Sequence, residues 1–187
     1  MKNKHGAFFR AFVKNPLRTG SIVESSPFLS EKMIGDIDLE NCCCIVEFGG
    51  GNGVFTKKIL EKMDSNSILL CFEIDPELAR QMERNIQDKR LKVICDSAEN
   101  INVYLRKFGF AKADCIISVL PLASLPRKTS RTILNQSYAY LNSGGRYVQF
   151  QYSLASLKHL KYLFPAVSVT FVFLNLPPAF VYICTKI

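Results

Sequence analysis

Apolar runs of four to seven residues return at fairly regular intervals along this chain, separated by stretches in which apolar positions recur every three or four places. The runs fall at residues 44–48, 68–72, 91–94, 114–119 and 146–152. Continuous apolar runs suit strands buried on both faces, and the 3.6-residue period between them suits crossover helices. Helices are predicted at residues 27–34, 56–63, 98–107 and 127–141, and in the segment opened by Pro76 that carries Leu78, Met82 and Ile86. Asn142-Ser143-Gly144-Gly145 reads as the turn into the fifth strand. The rhythm then changes: after a short helix ending near residue 163, Val167-x-Val169-x-Phe171-x-Phe173 alternates as far as Asn175 and Pro177-Pro178. The uncharged stretch 167–184 is long enough for a membrane span, but its alternation and its prolines favour two paired strands. The prediction is an α/β, Rossmann-like domain: a mostly parallel seven-stranded sheet, helices on both faces, and an antiparallel last strand.

Residues 5–18 carry a different signal. Phe8, Phe9, Phe12 and Val13 recur at helical spacing, Arg10, Lys14 and Arg18 follow at intervals of four on another face, and Pro16 ends the pattern. Such a basic amphipathic helix either lies among anionic lipid headgroups or docks on its own domain. Residues 1–35 therefore divide off as this helix and a segment covering the site, with residues 36–187 as the main domain of a single globular unit.

Composition narrows the class. The 187 residues suffice for one full core, and 48% hydrophobic content excludes wholesale disorder. A net charge of +8 favours an anionic partner surface, nucleic acid or lipid. The seven cysteines sit mostly in strand-like runs without a Cys-x-x-Cys pair, and neither His5 nor His159 adjoins one. Buried reduced thiols and no metal are the expectation. Arg10 and Lys14 interrupt the N-terminal apolar residues, so no secretory signal is read and the protein is expected in the cytoplasm.

The candidate chemistry begins where the first strand breaks into Glu47-x-Gly49-x-Gly51-x-Gly53. A dinucleotide fingerprint requires a third glycine where Val54 stands, and a phosphate-cradling loop requires Gly-Lys-Ser/Thr, which is absent. An acid at a strand end before alternate glycines resembles motif I of the S-adenosylmethionine-dependent methyltransferases. Carboxylates suit that cofactor, which carries an ammonium and a sulfonium rather than a pyrophosphate. The second strand ends at Glu73, placed to accept from both ribose hydroxyls, with Ile74 beside it and Asp75 as the cap of the helix from Pro76. Asp96, followed by Ser97, lies at the third strand tip, either on the adenine amino group or as a helix cap. Ser118 at the fourth strand tip completes the candidate cofactor set of Glu47, Gly49, Gly51, Gly53, Glu73, Ile74, Asp96, Ser97 and Ser118.

Several separated stretches together resemble the bacterial phospholipid N-methyltransferases, which are related to the ribosomal RNA adenine dimethylases. They are residues 12–26, the glycine loop, Val119-Leu120-Pro121-Leu122, Gly145-Arg146-Tyr147-Val148-Gln149-Phe150-Gln151-Tyr152, and Asn175-Leu176-Pro177-Pro178-Ala179. The family's loop has Pro at the place of Gly50 and Thr at the place of Asn52, changes expected to preserve the turn. The resemblance implies methylation of phosphatidylethanolamine at the inner face of the membrane. Phe8, Phe9, Arg10, Phe12, Lys14 and Arg18 would contact lipid, and Leu120, Pro121, Leu122 and Asn175 the acceptor. Tyr152 and Tyr182 are candidates for the base and, with Phe180, for resting the cationic product on an aromatic face. The rival readings are RNA adenine methylation and a non-catalytic cofactor-binding membrane adaptor. The dimethylases carry Asn-Leu-Pro-Tyr/Phe after the fourth strand, because a base needs a polar group and a stacking ring; here Ser118 and Leu122 bracket that place.

Overall fold

The computed structural model describes residues 27–35, 37–175 and 177–187. The basic helix expected over residues 5–18, and with it the lipid-contact assignments, lies outside them. Helix α1 (Pro27–Ile34) leads to β1 (Cys44–Phe48), α2 (Val54–Lys62), β2 (Ile68–Phe72), α3 (Pro76–Asn85) and β3 (Leu91–Ile94). A 3-10 turn (Ala98–Asn100) runs into α4 (Ile101–Lys107), followed by β4 (Ala113–Ser118), α5 (Arg127–Ala139), β5 (Leu141–Gln151), α6 (Leu157–Leu163), β6 (Ala166–Val172) and β7 (Ala179–Thr185).

The strands order as β3-β2-β1-β4-β5-β7-β6. The first five are mutually parallel, and β7 runs antiparallel to both its neighbours. β1 thus lies between β2 and β4, where the order reverses and the crevice for a ligand opens beyond the strand ends. All five β1 residues are buried, as the continuous apolar run requires. One core fills the face of α4, α5 and α6, with Phe48, Phe72, Tyr147, Phe164 and Tyr182. The other fills the face of α1, α2 and α3, with Leu29, Ile59, Met82 and Val148. Complete burial of side chains this large stabilises the fold by about 1.5–3 kcal/mol each.

Two local expectations change. The supposed turn at Asn142-Ser143-Gly144-Gly145 lies inside β5, whose register against β4 shifts between Ala113 and Cys115. The pairing passes from Ala113–Leu141 directly to Cys115–Arg146, so β5 bulges out across residues 142–145, and Gly144 at φ 78° lies in that irregularity rather than in a turn before the strand. The uncharged stretch 167–184 forms the β6–β7 pair, and among the described residues no helix is long and apolar enough to cross a membrane.

Candidate active site

The loop after β1 hangs from its neighbours by backbone bonds. Gly49 and Gly50 N–H both donate to Phe72 O (2.8 and 3.2 Å), Val119 N–H donates to Phe48 O (2.9 Å), and Gly53 N–H closes on Gly50 O (2.8 Å). Gly51 has φ 54° and a Cβ there would meet nothing within 4 Å, so its glycine serves backbone conformation and leaves the approach to the loop open. Gly50 is different: its φ is ordinary, but a Cβ would overlap Cys71 Sγ and Met82 Cε. A proline at this place, expected from the resemblance to preserve the turn, is therefore not neutral here, since it would overlap both and would remove the Gly50 N–H bond. Gly50→Ala is expected to cost about 1–3 kcal/mol in urea unfolding, and to cost less when Cys71→Ala has made room. Equal costs in the two backgrounds would rule this packing out.

Glu73 ties the loop to β2. Its Oε2 accepts from Gly51 N–H (2.9 Å) and its Oε1 from Asp75 N–H (2.8 Å). Burial raises its pKa, and the two amides pull it back down. Asp75 accepts from Glu77 N–H (2.8 Å) and is the α3 cap. Glu47 lies beneath the loop, fully buried, with Thr56 Oγ1 donating to its Oε2 (2.7 Å) and its Oε1 without a partner among the described residues. Burial lifts its carboxyl to about 7 against the bonds from Thr56 and Cys71, with the charge of Glu73 adding to the rise.

Beyond the strand tips a cleft is lined by Gly49, Phe72, Ile74, Asp96, Ser97, Ala98, Glu99, Leu120, Leu125, Pro126, Thr129 and Ile133. Four strand ends and the start of α5 contribute. Asp96 is held in place by Ser97 N–H (2.7 Å), Asn100 Nδ2 (3.0 Å) and Tyr104 Oη (3.0 Å). The helix cap is Ser97, whose Oγ accepts from Glu99 N–H (3.2 Å), so Asp96 is no cap. Among the described residues the lining holds two carboxylates and no cation. The rest of the wall is apolar and suits an aromatic ring, with the Asp96 carboxylate at one strand tip and that of Glu47 beneath the loop.

Of the candidate residues, the structure brings Gly49, Ile74, Asp96, Ser97 and Leu120 to this cleft, and sets Gly51, Gly53 and Glu73 in the loop and its tether. Ser118 is not there: it is fully buried and its Oγ makes no hydrogen bond of its own. Leu122 is buried in the core and Pro121 is half-buried. Asn175 sits in the β6–β7 connection, beyond the end of β5 where Gln151 pairs with Phe180, and its Nδ2 donates to Pro177 O (2.7 Å). Tyr182 is buried and donates to Ser153 O (2.9 Å), and burial raises its phenol further from neutrality, which is wrong for a base. Tyr152 packs edge-on against Phe150 (5.6 Å), which stacks on Phe55 (6.4 Å), a run of rings on the α2 side.

Two residues that sequence reading left without a role steady the loop after β4. Gln149 and Gln151 each donate Nε2 to Leu120 O (2.9 Å), and Tyr147 Oη donates to Gln149 Oε1 (2.7 Å). Their signal was only that two glutamines alternate inside an otherwise apolar strand.

A parallel sheet reversing at β1, an antiparallel seventh strand and an acid-lined cleft over a glycine loop together define a class I S-adenosylmethionine-dependent methyltransferase. The chain belongs to the family described as "Methyltransferase domain", whose profile matches residues 45–145. It is 28% identical to an ornithine lipid N-methyltransferase of Singulisphaera acidiphila across 95% of this chain and 93% of that one. It is also 33% identical to ribosomal RNA small subunit methyltransferase A of Mesomycoplasma hyopneumoniae, over 50% of this chain and 32% of that one. Its fold matches the N-methyltransferase NodS of Bradyrhizobium japonicum, solved with S-adenosylhomocysteine, at a TM-score of 0.66, 16% identity and 99% coverage of both chains.

Proposed function

We propose that this methyltransferase transfers methyl groups to the amine head of a membrane lipid, with phosphatidylethanolamine as the expected acceptor and an ornithine-headed lipid as its nearest chemical alternative. The observation that carries this reading is the end-to-end similarity to an ornithine lipid N-methyltransferase. The loop after β4 supports it: Leu122 is buried in the core where base methylation would need an exposed stacking ring.

Bound S-adenosylmethionine supplies an electrophilic methyl on a sulfonium. In this reading Glu73 accepts from the ribose with its remaining lone pairs, Asp96 and Ile74 hold the adenine, and Glu47 favours the ammonium from beneath the loop. The acceptor amine, with a pKa near roughly 10, must lose a proton before it attacks. Tyr182 is engaged, so that proton leaves to solvent, and the run of rings ending in Tyr152 receives the cationic product. In the same reading the basic segment of residues 5–18, expected from its sequence to be amphipathic, holds the enzyme on the inner membrane face.

The test is transfer of labelled methyl from S-adenosylmethionine into total lipid and total RNA of the host, with Glu73→Ala as control. The expected outcome is label in an amine-headed lipid and none with the variant. Label confined to RNA would overturn the reading and support the partial similarity to the ribosomal RNA enzyme.

A further inference from the structure

The charge along this chain is unevenly divided. All 16 Asp and Glu lie between residues 24 and 114, and residues 115–187 carry seven Lys and Arg without one acidic side chain. Among the described residues no carboxylate pairs with Arg127, Lys128, Arg131, Lys158 or Lys161, which are exposed on α5 and α6. These helices are neighbours on one face of the sheet: Tyr138 of α5 packs edge-on against Phe164 just past α6 (5.2 Å).

On that face the cover is incomplete. Val169 and Phe171 of β6 stand opposite Tyr182 and Phe180 of β7, whose side chains belong to the core under α5 and α6, so β6 turns the same side to this face. α6 packs on β6 but leaves Phe171 near its end and the turn that follows bare: Phe171 is 49% exposed, Phe173 76% and Leu174 64%. Phe171 and Phe173 rings touch edge-on (5.9 Å). Bare aromatics and a leucine at a hairpin tip, beside helices α5 and α6 that carry cations and no acid, match the interface of an anionic bilayer, with apolar groups below the headgroups and cations among them. The segment of residues 1–23 is a poorer occupant, because it too has five cations and no acid.

We propose that the β6–β7 hairpin tip and the cationic sides of α5 and α6 form one docking surface for an anionic lipid membrane, independent of the basic N-terminal segment. The inference rests on the lipid-amine reading and deepens it. The first turn of α5 holds Arg127 and Lys128 beside Pro126 and Thr129 of the cleft wall, so a bilayer bound here lies against the mouth of the site.

The test is co-sedimentation of the full chain with vesicles of phosphatidylcholine containing roughly a quarter phosphatidylglycerol. Phe173→Ser/Leu174→Ser and, separately, Lys158→Gln/Lys161→Gln are each expected to weaken binding about tenfold. Their thermal unfolding and their affinity for S-adenosylhomocysteine should stay at wild-type values. Variants that sediment like wild type would overturn the inference alone, leaving docking to the basic N-terminal segment. Wild-type protein that ignores vesicles but pellets with RNA would overturn the lipid reading as well. A hairpin variant that turns a dimer into a monomer, with vesicle binding unchanged, would assign the strip to a second copy and overturn the inference.

Discussion

Glu73→Gln is expected to weaken S-adenosylhomocysteine binding by about 10- to 100-fold and to lower stability by about 1–3 kcal/mol. The substitution changes the side chain little in size, but both oxygens of Glu73 accept backbone N–H groups, from Gly51 and from Asp75. An amide offers one acceptor and one donor. Whichever way it turns, one buried N–H faces another donor, and the loop loses either its own anchor or its link to the tip of β2. The ribose would also lose an ionised acceptor. Titration calorimetry with S-adenosylhomocysteine and urea unfolding read the two effects separately. Binding within about twofold of wild type would show that the tether does not shape the site.

Glu47→Gln is expected to move stability and binding in opposite directions. The carboxyl of Glu47 is raised from 4.5 to about 7 by burial, so the folded chain holds this proton more tightly than the unfolded chain does. Its favourable contribution is complete below about pH 4.5 and is lost as pH climbs to about 7, a change of about 3 kcal/mol for the ligand-free protein. The amide has nothing to ionise. Urea unfolding of wild type and variant should converge below about pH 4.5, and at pH 8 the variant should be the more stable. Binding of S-adenosylhomocysteine at pH 8 should nevertheless weaken about tenfold, because the ligand's ammonium loses a buried counter-charge. A variant whose stability tracks wild type across this range would mean that the Glu47 carboxyl titrates in the fold as it does in the unfolded chain, and that burial does not raise it. Strain of this kind, uncompensated until a ligand arrives, is characteristic of functional carboxylates.

The architecture was open to reading because both periods were clean. β2 and β3 fall on the runs 68–72 and 91–94, and α1 on 27–34, since each run is bounded by turn residues or by a cap. β5 was shortened because Asn-Ser-Gly-Gly has turn composition, whereas a strand with a bulge uses the same residues; composition cannot separate the two. Glu73 and Asp96 could be assigned to strand tips, but not the amides that hold them. The burial of Ser118 is not legible in sequence, because it depends on what covers the tip of β4. Gln149 and Gln151 stayed without a role because a polar residue in a strand usually points to water, and only the sheet's closure turns these two toward Leu120 O. The bare end of β6 was beyond sequence altogether: the alternation of Val169, Phe171 and Phe173 shows which residues share a face, and the length of α6 decides which of them it shields.

The pairing of β1 has a consequence for biogenesis. Ile45 pairs with Leu69 on one side and with Cys115 on the other, so the central strand receives its second neighbour only after much of the chain has been made. Contacts this distant in sequence are slow to close. Gly49 and Gly50 can hang from Phe72 O early in translation, but Val119, Leu120 and the wall from α5 reach them late. A nascent chain emerging vectorially from the ribosome therefore carries β1 as an open, sticky edge for a substantial part of its synthesis, and the window in which a chaperone matters is the one that ends when β4 docks.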